Sequence, residues 1–167
     1  MSRKYTGNTE GVGKGKRPGL EHLVACIEFL SGGKMKKNGT YVVRDKRGKA
    51  GNISVHATGR AADISYRNGS RTNAVAWIDL LIKHADELGI EYLADYAYPK
   101  GLKGGRGWKC DRGAWTEYKP GQIEGGGQAW ADWIHIELSP EYADQPPLIQ
   151  AAINKIVGEL QEKPISG

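Results

Sequence analysis

The chain lacks any apolar run near the roughly 18 residues that a bilayer span requires, so stable membrane association is not expected. A secretion leader is missing too: the opening stretch MSRKYTGNTEGVGKGKRPG is basic and glycine-rich, with no apolar core. Cysteine is scarce, two in 167 residues, which excludes a disulfide framework. Cys26, in the apolar run LEHLVACIEFL, reads as a buried thiol. Cys110, in GWKCDRG, reads as a loop thiol or a weak metal-ligand candidate, and spacing alone leaves open whether the two pair. No internal repeat, second domain or nucleic-acid recognition motif is discernible, so a nucleic-acid partner is not expected.

What is present suits one soluble domain: 39% hydrophobic and 26% charged residues over a length that can bury a real core. Lys and Arg number 24 against 19 Asp and Glu, a net charge of +5 that favours an anionic partner such as an acidic cell wall. Much of that excess lies in residues 1–17 and 34–49, so solubility and a basic tail account for it equally well. Residues 1–17 are expected to form a flexible tail and residues 18–167 a single domain.

Leu20, Leu23, Val24, Ile27 and Leu30 recur at helical spacing and predict a helix over 19–31. Residues 40–45 (TYVVRD) read as a strand, followed by the charged turn KRGKAGN. Residues 53–57 and 61–66 read as short extended segments. A second helix is expected over 71–88, with Ala74, Trp77, Ile78, Leu81, Ala85 and Leu88 on one face and Gly89 as its stop. A strand at 90–98, a long glycine-rich loop at 99–127, a strand at 133–138 and a last helix at 147–162 complete the chain. This order predicts an α+β fold with helices flanking a central, mostly antiparallel sheet.

Alternation along WIHIEL sends Ile134, Ile136 and Leu138 to one face and Trp133, His135 and Glu137 to the other. In AADISY, Asp63 shares a face with Ala61 and Ser65; Ser54 and His56 share one in the preceding segment. Two imidazoles and a carboxylate, His56, Asp63 and His135, can thus face one point, as a catalytic zinc site with three protein ligands requires. Small residues at 57, 59, 61 and 62 leave room for metal and ligand. Asp132 is the candidate proton-transfer carboxylate, although positions i and i+3 of a strand point oppositely, so a bend or bulge near Trp133 is required. His22 and His84 have no partner at ligand spacing.

Residues 54–63, SVHATGRAAD, match S-x-H-x-x-G-x-A-x-D at every fixed position, and DWIH at 132–135 matches a downstream [DE]-x-x-H. The chain thereby resembles the zinc D-Ala-D-Ala carboxypeptidase family, which includes phage L-alanyl-D-glutamate endolysins; the likeness covers about residues 40–138. It implies a sheet-borne zinc site of the Hedgehog and DD-peptidase type, with one Zn2+ held by His56, Asp63 and His135 and with Asp132 as general base. It also implies an upstream arginine on the substrate oxyanion. Arg44 is the candidate, with Arg60 and Arg106 as competitors. Ser54 would position substrate or a ligand, and Arg60, Trp108 and Trp133, with Trp115 and Trp130, would contact substrate.

The function so implied is hydrolysis of peptidoglycan stem peptides by a monomeric phage endolysin. Such an enzyme waits in the host cytoplasm until lysis, which suits a basic chain without a leader. The scissile bond stays open among L-Ala–D-Glu, a D-Ala–diaminopimelate cross-link and terminal D-Ala-D-Ala. A non-catalytic zinc-binding module is the competing reading, keeping the three ligands without needing Asp132.

Overall fold

The computed structural model describes residues 2–97 and 103–166. Pro18, which costs no hydrogen bond at a first helical position, opens α1 (Pro18–Leu30), whose buried face is Leu20, Leu23, Val24 and Ile27. Then come β1 (Lys36–Gly39), β2 (Asp45–Lys46), β3 (Lys49–Ile53), one turn of 3-10 helix (Val55–Thr58) and β4 (Ala61–Ser65). The remainder is α2 (Arg71–Lys83), β5 (Ile90–Asp95), β6 (Arg106–Lys109), β7 (Ala114–Glu117), β8 (Trp133–Leu138), α3 (Pro140–Asp144) and α4 (Pro146–Glu162).

Six strands form one sheet in the order β1-β4-β8-β5-β6-β7, and β2 and β3 form a separate hairpin. Every pairing among the described residues is antiparallel. The expected α+β class therefore holds. Alternation in β8 holds too: Ile134, Ile136 and Leu138 are fully buried. They share one apolar cluster with Ile64 and Leu93 of the sheet and the inner faces of α1, α2 and α4. Each such side chain contributes about 2 kcal/mol by its removal from water, so the sheet's helix-side face is strongly determined.

Several local expectations are corrected. Residues 40–44 are irregular rather than a strand: Val42 and Val43 stay exposed, so no buried face rewards a regular ladder. The charged turn after them is the β2–β3 hairpin. His56 sits on the 3-10 turn and not on a strand. The helix at 71–88 ends at Lys83, and its apolar spacing runs on into turns that bury Ala85 and Leu88. The loop at 99–127 contains the β6–β7 hairpin, in which Trp108 opposes Trp115. Tyr98, at the end of the expected fifth strand, lies outside the described residues.

The largest correction concerns residues 2–17, which do not form a flexible tail. Arg3 bonds Asp86 at 2.7 Å, Thr6 bonds Glu91 through both its amide and its hydroxyl, and the Gly13 amide donates to the Ala57 carbonyl at 2.8 Å. Arg17 closes the run on Asp144. This segment is a strap across the domain, anchored at both ends and between. Composition suggested a tail because its contacts are polar and far away in sequence. Both thiols, Cys26 and Cys110, are free.

The α1–α3 contact is close enough to test. A Cβ on Gly19 would lie 2.0 Å from the Tyr142 carbonyl oxygen, a backbone atom that cannot swing away. Gly19→Ala is expected to destabilise the domain by about 2 kcal/mol, measured by denaturant unfolding, despite alanine's better helix propensity.

Candidate metal centre

The register of β4 on β8 builds the centre. Asp63 lies directly opposite His135, and small Ala94 flanks His135 on its other side. His56 arrives from the 3-10 turn. Ser54 accepts a hydrogen bond from the His56 amide at 3.3 Å and starts that turn. Gly59 ends it with φ +82°, and a Cβ there would lie 2.5 Å from the Gly15 carbonyl oxygen, so only glycine fits. The fixed Ser and Gly of the motif thus have backbone reasons: together they aim one imidazole. Ser54 is a buried hydroxyl that orients His56 through its backbone amide.

Asp63 receives both rings. His56 Nε2 lies 3.3 Å from Asp63 Oδ2, and His135 Nδ1 lies 3.0 Å from Asp63 Oδ1. One ligand atom from each residue lies within 4.8 Å of the others, so His56, Asp63 and His135 form a group that could hold a metal ion. Donors about 2.1 Å from a tetrahedral ion stand about 3.4 Å from one another. The two contacts to Asp63 are close to that spacing, and the donor set fits zinc.

The outward nitrogens are occupied as well. His56 Nδ1 donates to the Thr40 carbonyl at 2.6 Å, leaving its Nε2 lone pair for a metal. His135 Nε2 lies 3.0 Å from Glu137 Oε1, which leaves Nδ1 facing Asp63. A metal-bound imidazole that donates its other N–H to a carbonyl or carboxylate is fixed in tautomer and orientation. Both rings have this partner.

Charge follows from the geometry. Burial favours a neutral Asp63, yet the hydrogen bonds and charges of His135 and His56 outweigh it and hold the carboxylate far below its ordinary range. Burial disfavours a charged His135, yet bonds to Asp63 and Glu137 push its pKa up to about 10. Glu137 is lowered against its burial chiefly by His135.

The remaining candidates divide. Asp132 stands just before β8, and β4 pairs with β8 continuously up to Trp133, so the bulge that the spacing required is absent from that pairing. Its carboxylate accepts from Arg67 Nη2 at 3.3 Å, and Arg67 Nε donates to Ser65 Oγ, on the face of β4 that carries Asp63. Asp132 therefore borders the metal face without being one of the three clustered residues. Arg44 lies nearer to His56 than a 12-residue separation suggests, because the β2–β3 hairpin folds residues 40–44 back beside 54–56; Ser54 N donates to Arg44 O at 3.0 Å. The Tyr96 phenol is pushed far up first by burial and then by Asp63 and Glu137, and the Arg44 guanidinium donates to the Asp45 carbonyl at 3.4 Å.

Arg60 is corrected: it is 0% exposed, bonded to Glu10 and to the Leu138 and Gly7 carbonyls, and cannot contact substrate. Arg106 stacks 3.9 Å over Trp115 and bonds Asp95 at 3.1 Å, away from the oxyanion role. Trp108 is also corrected: it is buried in the apolar core, and Trp115 packs against that core. Trp133 stays at the site, 5.4 Å from Tyr96 and 5.7 Å from the exposed Trp130 by ring centroids. His84, set aside for want of a ligand at spacing, bridges Glu87 and Glu159.

No family model, curated protein or solved structure matches the chain. The site must therefore speak through its own residues. Those missed were Glu137, Thr40 and Tyr5, whose hydroxyl donates to Glu137 Oε2 at 2.7 Å. Glu137 had a signal, its place two residues after His135. The Thr40 carbonyl had none, because any residue could supply it.

The shifts set a stability profile for the metal-free protein. Charge on His135 contributes fully below about pH 6.5, the free imidazole value, and fades as pH rises towards about 10. The lowered Asp63 and Glu137 contribute above their ordinary 3.8 and 4.5 and fade as pH falls below them. The Tm of the metal-free protein, followed by circular dichroism, is expected to peak at about pH 5–6 and fall on both sides. Asp63→Asn is expected to flatten the alkaline decline.

Proposed function

We propose that the protein is a zinc-dependent peptidase acting on peptidoglycan stem peptides, of the phage endolysin type within the zinc D-Ala-D-Ala carboxypeptidase family. The observation that carries this reading is the convergence of His56 Nε2 and His135 Nδ1 on Asp63, with both opposite nitrogens tied down. The matches to S-x-H-x-x-G-x-A-x-D and [DE]-x-x-H support it, since Ser54, Gly59 and Asp63 each have a local reason in the site. No helix among the described residues is long and apolar enough to cross a membrane.

His56, Asp63 and His135 would hold zinc. Bound there, zinc supplies Lewis acidity, polarising a carbonyl and bringing the pKa of a water towards about 7. Asp132, which precedes β8 and so is not bound by the alternation within that strand, would accept a proton from the attacking water and return it to the departing amine. Arg67 keeps that carboxylate at the edge of the face. Arg44 stabilises the negative charge that develops on the carbonyl oxygen. Tyr96, Trp133 and Trp130 line the approach and exclude water from one side of the peptide.

A non-catalytic zinc module is the second reading, favoured by the pairing of Asp132 with Arg67 rather than with the three ligands. The two separate on one variant. In digests of purified peptidoglycan, with mass analysis of the released fragments, Asp132→Asn is expected to lower the rate about 100-fold or more while retaining zinc. An unchanged rate in that variant, or no new amino termini from the parent protein at any zinc level, rejects the peptidase. Arg44→Ala is expected to lower kcat about 100-fold, also with zinc retained.

A further inference from the structure

We propose that the N-terminal strap is a working part of the metal centre: Tyr5 is a positioning residue that holds His135 in place through Glu137. The inference rests on the reading of His56, Asp63 and His135 as metal ligands, and goes beyond it by adding a distant segment to the site.

Glu137 is 4% exposed and uses each carboxylate oxygen once. Oε1 faces His135 Nε2 at 3.0 Å and Oε2 accepts from the Tyr5 hydroxyl at 2.7 Å. A carboxylate held at both oxygens cannot rotate, so the ring that bonds to it has a fixed acceptor. With Nε2 fixed, the direction of Nδ1, the nitrogen facing Asp63, is fixed as well. Groups behind a metal-bound histidine act in this way, and their loss typically weakens metal affinity 10–100-fold.

Anchoring the strap does not require the Tyr5 hydroxyl. Arg3 on Asp86, Thr6 on Glu91, Glu10 on Arg60, Gly13 on Ala57 and Arg17 on Asp144 already tie it down along its length. The Tyr5 ring is also held apart from its hydroxyl. The Lys109 ammonium sits 4.3 Å from its centroid, and Tyr92 meets it edge-on at 6.5 Å. Removing the oxygen alone therefore leaves ring and strap where they are and releases one end of Glu137. Burial, and then the Glu137 charge, push the Tyr5 phenol far up, so it remains a donor.

The test uses the full chain stripped of metal and titrated with Zn2+ against a chromophoric chelator, and with Co2+ while the visible ligand-field spectrum is followed. Tyr5→Phe is expected to weaken both metals about tenfold and to change the Co2+ spectrum. Thr6→Val, which cuts a neighbouring strap bond without touching Glu137, is expected to lower the Tm but leave metal affinity unchanged. In a Glu137→Gln background, Tyr5→Phe is expected to add no further loss, because the effect passes through Glu137. Parent-like affinity and spectrum in Tyr5→Phe overturn the proposal. So does an equal loss in Thr6→Val, which makes the strap a general brace, or an undiminished loss in the Glu137→Gln background. A parent protein that binds neither metal overturns the ligand assignment itself, and with it this inference.

Discussion

The register between β4 and β8 is the constraint on which the rest depends. Ile64, Ile134 and Ile136 face the helices, and Asp63, His135 and Glu137 take the alternate positions. A slip of one residue would drive the carboxylates and the imidazole into the apolar core and lift the isoleucines out of it. Burial of the aliphatic side chains therefore selects the pairing that brings Asp63 opposite His135. No separate force is needed to bring Asp63 and His135 together. Core and site are two faces of one decision.

What lies behind that face is unusually ionic. Arg60 is fully buried, and its guanidinium meets Glu10 at 2.6 Å and Glu91 at 3.6 Å. Buried charges of this kind contribute little net stability, because desolvation offsets much of the attraction. Removing one partner is costly all the same, since the other is left uncompensated. The strap supplies partners to three of them: Glu10 to Arg60, Thr6 to Glu91 and Tyr5 to Glu137. Its fixed position follows largely from these demands, with the Tyr5 ring adding contact to the core and to Tyr92.

The parts of the molecule legible in the sequence were those governed by local period. The apolar faces of α1, α2 and β8 follow from spacing, and so does the shared face of His135 and Glu137. The three clustered residues were legible because a turn, the middle of a short strand and a second strand each leave a short pattern. Three kinds of feature were not. The strap is held by side chains paired across distances of up to 132 residues, as in Tyr5 with Glu137, and such pairing has no period. Trp108 looked available in its glycine-rich loop and Arg60 among small neighbours, and only the sheet and strap show that both are covered. Residues 40–44 carry β-branched side chains but no partner strand, and propensity without a buried face did not make a strand.

The distances along the chain bear on how such a site comes into being. Asp63 and His135 are separated by 72 residues, and Tyr5 waits for a partner 132 positions ahead. During synthesis the first imidazole and the carboxylate exist well before the second imidazole does, and Tyr5 has no Glu137 to bond until β8 has been made, although other strap partners such as Ala57, Asp86 and Glu91 come earlier. Loop closure of this length is entropically slow compared with helix formation. The ribosome thus releases a chain whose helices can form early, while the cluster of His56, Asp63 and His135 is assembled among the last events. A chain cut short before residue 133 would carry two of the three clustered residues, His56 and Asp63, with Tyr5 lacking its acceptor, so a truncated product holds no complete cluster.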